Sequence, residues 1–158
     1  MTAIAEPTWS VPRSLSPSRV ESFLSCPLAF RFASIEKLPD PPTQATTKGS
    51  LVHRALELLF LHPGADRTPA RIDHCIDDAI AEYQVHPDFT HLQLGADEAH
   101  RFFSECREIA ANYMTMEDPR TVKAIGLELK LEAPVGDITL RGIIDRLDLL
   151  PDGRLVVT

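Results

Sequence analysis

The stretch that most constrains the fold is the C-terminal run from Arg141 to Thr158, which reads RGIIDRLDLLPDGRLVVT. Two apolar, partly β-branched segments flank the sequence Pro151-Asp152-Gly153. This trio has the chemistry of a tight turn, because proline presets φ, aspartate can accept a hydrogen bond from nearby backbone, and glycine tolerates positive φ. The run therefore predicts two strands joined by a short turn.

Asp145 lies inside the first of these strands, with Ile143 and Leu147 two positions to either side. Side chains two apart share one face of a strand, so this carboxylate stands among apolar neighbours, where burial without a partner is costly. If the turn is centred near Asp152, the residue opposite Asp145 falls at or just past Thr158. We therefore expect the group that faces Asp145 to be absent from this chain.

The remaining sequence predicts a flexible, proline-rich arm over residues 1–15, a helical part over residues 16–118 and strands over residues 121–158. Caps and apolar periodicity indicate the helices Ser16–Ser25, Gly49–Leu61, one that opens at Thr68-Pro69, and Ala96–Met116 with Ile109 among its inward residues. Residues Leu38–Thr47 are expected to form a loop, and Leu28–Phe32 either a helical turn or a short strand. The fold class is α/β, of the α+β kind, with an antiparallel β-meander at the C-terminus.

The strand predicted over Thr121–Glu132 alternates leucines with charged residues, so we expect one buried face and one polar face that carries Glu128. In the following strand, Arg146 and Asp148 point away from Asp145. They are interpreted either as a surface pair or as groups that help to place DNA.

The cysteines Cys26, Cys75 and Cys106 are odd in number and far apart, which argues against a disulfide framework. Cys75 and Cys106 fall on apolar helix faces, where a cysteine packs as a small hydrophobic residue. His53 lies one helical turn from both Gly49 and Glu57. From spacing alone, a lone histidine of this kind is more often a hydrogen-bonded core residue than a metal ligand.

The net charge of −7 argues against a protein that coats nucleic acid through bulk charge. The charge is uneven, however: residues 10–54 carry six basic and three acidic side chains, and residues 55–118 carry four basic and thirteen acidic ones. A local phosphate-binding groove in the N-terminal part is compatible with this distribution. No apolar run is long enough to span a membrane and no signal peptide is visible, so we expect a cytoplasmic protein without membrane contact.

Three stretches, taken in order, resemble motifs of the RecB/AddB-like exonuclease branch of the PD-(D/E)XK nuclease superfamily. The segment SPSRVESFLSCPLAFRF is similar to the opening motif S-x-S-x-(L/V/I)-x-x-(F/Y)-x-x-C-P-x-x-(F/Y) of that branch. The segment GSLVHRALE is similar to its G-x-x-x-H motif. The segment GIIDRLDLLPDGRLVVT is similar to its central motif, in which G-x-I-D-R-(I/L)-D precedes a turn and a strand that ends in Asp-Tyr-Lys-Thr.

The resemblance implies a restriction-endonuclease-like core and a metal-dependent DNA exonuclease that acts in repair or recombination, with DNA and a helicase as partners. It implies that His53 and Asp145 are ligands of Mg²⁺ or Mn²⁺, and that Glu128 is an acidic catalytic group on the preceding strand. It also implies that Cys26 is the first ligand of an iron–sulfur cluster in a full-length protein. This chain cannot form that cluster, because the other three ligands of such proteins lie in a C-terminal segment that is absent here.

The Asp-x-Lys half of the central motif is missing, so residues 16–158 are expected to be the N-terminal portion of a nuclease domain that is inactive as this chain. Two other interpretations stay open. The alternative is a non-catalytic domain that binds DNA or a helicase. A third interpretation is an α+β domain in which Asp145 merely pairs with Arg141 or another buried base.

Overall fold

The computed structural model describes residues 12–158, so the predicted N-terminal arm lies outside the described residues except for residues 12–15. The helices and the mixed sheet confirm the α/β class. In chain order, the described elements are β1 (Ser14–Leu15), α1 (Pro17–Ser25), α2 (Pro27–Phe30), a π-helical turn (Arg31–Ile35), α3 (Gln44–Leu61), a 3-10 turn (Gly64–Asp66), α4 (Pro69–Gln84), α5 (Pro87–His91), α6 (Ala96–Met116), β2 (Ala124–Val135), β3 (Ile138–Leu149) and β4 (Leu155–Val157).

The chain divides into two compact units, and the divisions fall inside strands β2 and β3. The first unit comprises Met1–Asp40 and Glu128–Ile144, and the second comprises Pro41–Leu127 and Asp145–Thr158. The first therefore contains β1, α1, α2 and the paired ends of β2 and β3, whereas the second contains helices α3 to α6 and strand β4. Both predicted metal ligands, His53 and Asp145, belong to the second unit.

The core of the second unit is formed by the long helices α3, α4 and α6. Burial of α4 follows the predicted periodicity, and both Cys75 (2% exposed) and Cys106 (0%) pack as small apolar side chains, as predicted. Ile109 is 46% exposed, so the prediction that it faces inward was wrong. The buried stripe of α6 runs at four-residue steps and is too narrow to include it. The buried core residues are Leu51, Val52, Ala55, Leu59, Ile72, Cys75, Ile76, Ala79, Ile80, Tyr83, Phe102, Cys106 and Ala110.

Helix α3 begins earlier than predicted. The hydroxyl of Thr43 accepts a hydrogen bond from the Thr46 backbone N–H (3.2 Å), and the Thr46 hydroxyl accepts one from the Thr43 N–H (3.0 Å). This reciprocal capping box satisfies two amide groups that would otherwise lack partners, so the helix starts at Gln44. The prediction of a loop through Thr47 was therefore wrong at its C-terminal end, whereas the cap of α4 at Thr68-Pro69 is confirmed.

In the first unit, α1 starts as predicted. The Ser16 hydroxyl accepts a hydrogen bond from the Arg19 N–H at 3.3 Å, and Pro17 occupies the first helical turn, where a missing N–H costs nothing. The segment from Pro27 to Ile35 is helical, which settles the choice between a helical turn and a strand for Leu28–Phe32.

The C-terminal hairpin forms as its turn chemistry predicts. Strands β3 and β4 pair antiparallel, with Leu147 opposite Val157 and Leu149 opposite Leu155. In the turn, an Asp152 carboxylate oxygen accepts a hydrogen bond from the Arg154 N–H at 3.1 Å. Gly153 has a φ of 85°, a conformation that favours glycine.

The sheet is mixed rather than a purely antiparallel meander. Strand β1 pairs parallel to β3, with Ser14 opposite Thr139 and Leu15 opposite Leu140. The described end of the predicted arm is thus a short strand. The arm lacked apolar periodicity because a two-residue strand is too short to show any.

Strand β2 does not keep the regular alternation predicted from its sequence. Glu128 has a φ of 50°, in the left-handed region that is unusual for a residue with a side chain. Residues 126–129 are all partly buried, instead of alternating between buried and exposed. A positive φ inside a strand changes the direction of the side chains that follow, so the two-residue period is lost at Glu128.

Gly64 provides a test of packing in the second unit. A Cβ atom at Gly64 would lie 2.8 Å from the Arg120 carbonyl oxygen, which is backbone and cannot rotate away. We expect Gly64→Ala to lower the free energy of unfolding by about 1–3 kcal/mol, measured by urea denaturation. The control is Gly49→Ala inside α3, where a Cβ meets nothing within 4 Å. That change should raise stability by up to about 1 kcal/mol through helix propensity, and equal effects of the two changes would contradict the packing argument.

Candidate metal centre

One side of helix α3 lines a cleft. Gly49, His53, Leu56 and Phe60 recur at steps of three and four residues, so they lie along one side of the helix. All four line the same cleft. The His53 side chain reaches solvent at this face, beside the buried Val52.

Strand β3 carries Asp145 to the same cleft. The carboxylate is exposed, whereas the next residue, Arg146, is 9% exposed and points to the opposite face. Arg146 and Thr158 exchange backbone hydrogen bonds of 3.2 and 2.9 Å, which continues the pairing of β3 with β4. In this register the position opposite Asp145 is the one that follows Thr158, in agreement with the spacing predicted from the turn.

Two side chains of the second unit offer atoms that could bind one metal ion. A ring nitrogen of His53 and a carboxylate oxygen of Asp145 lie within 4.8 Å of each other. Two ligands on opposite sides of one Mg²⁺ ion are about 4.2 Å apart, twice a ligand distance of about 2.1 Å. The donor set fits a hard divalent cation after a shift of a few tenths of an ångström, since carboxylate oxygens suit Mg²⁺ or Mn²⁺ and imidazole is accepted by transition metals.

The cleft beside His53 and Asp145 has a volume of about 420 Å³ and belongs entirely to the second unit. Its walls are largely apolar, with Val52, Leu56 and Leu127 among the lining residues. A site of this kind, with few polar groups on a mainly apolar wall, is typical of binding pockets.

The sequence matches the model of one known protein family. The sequence model of the PD-(D/E)XK nuclease superfamily matches residues 14–158. The chain belongs to the PD-(D/E)XK nuclease superfamily. No curated protein matches its sequence. The superfamily part of the resemblance is confirmed.

The residue after Asp145 is the centre of a buried polar network in this PD-(D/E)XK protein. Arg146 donates to Asp148 (Nε to Oδ2, 3.0 Å), to the Tyr113 hydroxyl (Nη1, 3.0 Å) and to both carboxylate oxygens of Glu117 (2.6 and 3.2 Å). Its guanidinium also lies 4.4 Å from the centroid of the Phe60 ring. Arg146 and Asp148, at 9% and 7% exposed, are therefore a buried pair. The interpretation of these two residues as a surface pair or as DNA contacts was wrong, because both side chains are buried and the Arg146 guanidinium is hydrogen-bonded to Asp148, Tyr113 and Glu117.

The network changes the pKa values of Tyr113 and Glu117. Burial raises the pKa of the Tyr113 hydroxyl, and the hydrogen bond that it donates to Glu117 raises this pKa further. Burial alone would raise the pKa of the Glu117 carboxyl group, but hydrogen bonds from Arg146 and Tyr113 outweigh that effect and hold this pKa below its usual value. Glu117 is thus a carboxylate that the fold keeps charged.

Arg141 does not support the interpretation in which it neutralises Asp145. Its Nε forms an ion pair with Glu132 at 2.9 Å, on the neighbouring strand of the first unit. The buried base of strand β3 is Arg146, and its partners are Glu117 and Asp148. Arg141 and Arg146 therefore both form ion pairs with acidic residues other than Asp145.

Among the described residues, Cys26 is exposed, whereas Cys75 and Cys106 are buried. Cys26 lies in the first unit, at the junction of α1 and α2. Burial raises the pKa of the Cys106 thiol to about 11 and also raises that of Cys75. Neither buried thiol is therefore suited to metal binding, which requires the thiolate.

The Arg146 network was not predicted from the sequence. Its members come from α3, α6 and β3, so no local pattern brings them together. One signal was present: Arg146 and Asp148 are two apart on a largely apolar strand, and side chains at that spacing share a face. A charged pair on the core side of such a strand indicates a buried network.

The depressed pKa of Glu117 predicts a pH dependence of stability. A carboxyl group whose pKa is lower in the folded state stabilises the fold above its unfolded pKa of about 4.3, and loses that contribution as the pH falls through the folded value. At pH 7 we expect Glu117→Gln to lower the free energy of unfolding by about 1–3 kcal/mol, since charged hydrogen bonds to Arg146 are weakened. The deficit relative to the unaltered protein should shrink below about pH 4.

A matched control for this prediction is Glu105→Gln on the same helix. Glu105 forms a surface ion pair with Lys48, so its removal should change stability little at any pH. Chemical denaturation at steps of about one pH unit between pH 3 and pH 7 measures the free energy of unfolding of both variants. A deficit of Glu117→Gln that stayed constant across this range would contradict the assignment of a charged Glu117.

Proposed function

We propose that this chain is part of a metal-dependent DNA nuclease of the RecB/AddB-like exonuclease branch, acting on DNA in the cytoplasm during repair or recombination. The observation that carries the proposal is the approach of the His53 and Asp145 ligand atoms, within 4.8 Å of each other at the cleft of one unit. That approach occurs in a chain whose superfamily match covers both residues.

A divalent ion, when bound, supplies activation of a water molecule and neutralisation of charge on phosphoryl oxygens. His53 would hold such an ion through a ring nitrogen, and Asp145 would hold it through a carboxylate oxygen. Gly49 leaves open space on the cleft face of α3, one turn before His53, where a DNA phosphate can approach the helix closely.

We propose Glu128 as the second acidic group of the centre. The resemblance supports this role, because it implies an acidic group on the strand before Asp145, and Glu128 follows Leu127, which lines the cleft. The positive φ of Glu128 supports a functional role. Backbone strain of this kind costs about 1–3 kcal/mol and clusters at functional sites.

The branch assignment rests on three motifs in order, and the described structure gives two of them local explanations. Ser16 caps α1, and His53 lies one turn after Gly49 on the cleft face of α3.

The described residues that line the cleft include no lysine. In the register of β3 and β4, an Asp-x-Lys sequence that continued β4 would lie next to Asp145. We propose that such a segment completes the catalytic set, and that this chain by itself does not turn over DNA.

For Cys26 we propose the role of first iron–sulfur ligand in a longer protein. Its exposure at the junction of α1 and α2 supports this role. A cluster needs four ligands, and the buried Cys75 and Cys106 are not available to provide them. In this chain Cys26 is a free thiol.

A second candidate is a non-catalytic domain that binds a helicase or DNA. Exposed apolar side chains on the first unit favour a protein partner over DNA: Phe23 is 50% exposed, Leu24 77% and Leu28 56%. Apolar surface of this kind marks sites of protein association. If this candidate is right, the centre at His53 and Asp145 has no affinity for divalent cations.

Calorimetric titration of Mn²⁺ into the full chain separates the two candidates. We expect binding that His53→Ala or Asp145→Asn weakens by at least about 10-fold, because each change removes one ligand. The control is His74→Ala, since His74 is an exposed histidine on α4. Equal binding by all four proteins, or none by any, would move the assignment to the non-catalytic domain.

A nuclease assay tests the catalytic set. We expect no hydrolysis of linear DNA by this chain in Mn²⁺, and hydrolysis by a version extended through a following strand that carries Asp-x-Lys. Hydrolysis by the present chain that is lost in His53→Ala would refute the requirement for a further segment. Hydrolysis that persists in His53→Ala would refute the role of His53.

A further inference from the structure

The guanidinium group of Arg146 joins three elements of the second unit. It donates to Tyr113 and Glu117 near the C-terminal end of α6, and to Asp148 on its own strand. It also lies over the ring of Phe60 on α3, at 4.4 Å from the centroid. Each of these contacts is directional, since a planar guanidinium donates in its own plane and stacks through its face.

These contacts connect the two elements that carry the candidate ligands. His53 and Phe60 are seven residues apart on α3, which is two helical turns, so both lie on the cleft face of this helix. Asp145 immediately precedes Arg146 on β3 and points to the opposite side of the strand. A side chain fixed at Arg146 therefore fixes the rotation of β3 about its axis, and with it the direction of Asp145 relative to α3.

We propose that Arg146 is a positioning residue for the metal centre, one that sets the spacing of His53 and Asp145 by holding β3 against α3 and α6. The inference rests on the proposed metal-binding function. It goes beyond that function because it assigns a specific task to a residue that touches neither metal nor substrate. Partners that orient ligands in this way commonly change metal affinity by about 10- to 100-fold when altered.

A direct role of Arg146 in DNA binding does not fit its surroundings. Its Nε and both Nη atoms already donate to protein acceptors at 2.6 to 3.2 Å, and the residue is 9% exposed. Binding a phosphate would require Glu117 and Asp148 to lose their buried cation, which is costly. The arrangement is thus built to hold the strand in one position.

Arg67 is a matched control. It is likewise buried, at 7% exposed, and its guanidinium also contacts the Phe60 ring, at 4.6 Å. It donates to backbone carbonyls of the second unit, among them those of His62 and Val122. Loss of Arg67 therefore removes a comparable buried cation without removing the connection between β3 and α6.

The experiment compares Arg146→Met, Arg146→Lys and Arg67→Met in the full chain. For each variant, the melting temperature is measured first, and Mn²⁺ affinity is then measured by calorimetry well below that temperature, where the variant is folded. We expect both Arg146 variants to bind Mn²⁺ at least about 10-fold more weakly than the unaltered chain. Lysine should not rescue affinity, because one ammonium group cannot reproduce the fork that reaches Glu117, Tyr113 and Asp148 together.

Arg67→Met should melt at a lower temperature but retain the Mn²⁺ affinity of the unaltered chain. Unaltered affinity in the folded Arg146 variants, with a lower melting temperature alone, would show that Arg146 is only structural and would overturn the inference. The same weakening in Arg67→Met would overturn it as well. If Arg146→Met does not fold, Arg146→Lys and Glu117→Gln carry the comparison. An unaltered chain that binds no Mn²⁺ would overturn the proposed function itself, and the positioning role with it.

Discussion

The contact of Arg146 with Glu117 and Asp148 is the interaction on which the candidate centre depends. Taking these charges out of water is expensive, and the cost is offset only because several hydrogen bonds are made together. A network of that kind tolerates one arrangement of its members. Strand β3 is therefore held at a defined position against the helices. The position of the accessible Asp145, which precedes Arg146 on this strand, is fixed in the same way.

In the second unit, α3 and β3 each have one packed face and one face that is open to the cleft. One face of α3 packs into an apolar core with α4 and α6, and another face presents Gly49 and His53 to the cleft. On β3, the side that carries Arg146 is buried and the side that carries Asp145 is open. Packing residues and candidate ligands therefore alternate along these elements, so the exposed candidate ligands stand on a well-packed base.

Features decided by local chemistry were predictable from the sequence. The turn at Asp152 and Gly153 and the resulting register beside Asp145 follow from the preferences of a few adjacent residues, and helix α6 has the predicted bounds. The start of α3 was missed although its cause is local, because a threonine at the third helical position can close a capping box as glutamate usually does.

Features decided by contacts between distant segments were not predictable. The burial of Arg146 depends on Tyr113 and Glu117, more than 28 residues earlier in the chain. The left-handed backbone of Glu128 opposes the intrinsic preference of glutamate, so it is imposed by surrounding structure. The predicted ligand roles of His53 and Asp145 rest on the resemblance, because spacing alone favours a core role for an isolated histidine.

The most direct measurement is the anomalous scattering of Mn²⁺ in crystals of this chain. The account predicts a single strong peak at bonding distance from a ring nitrogen of His53 and a carboxylate oxygen of Asp145, with Arg146 still bound to Glu117. A peak at other residues, with His53 and Asp145 left without one, would contradict the central claim.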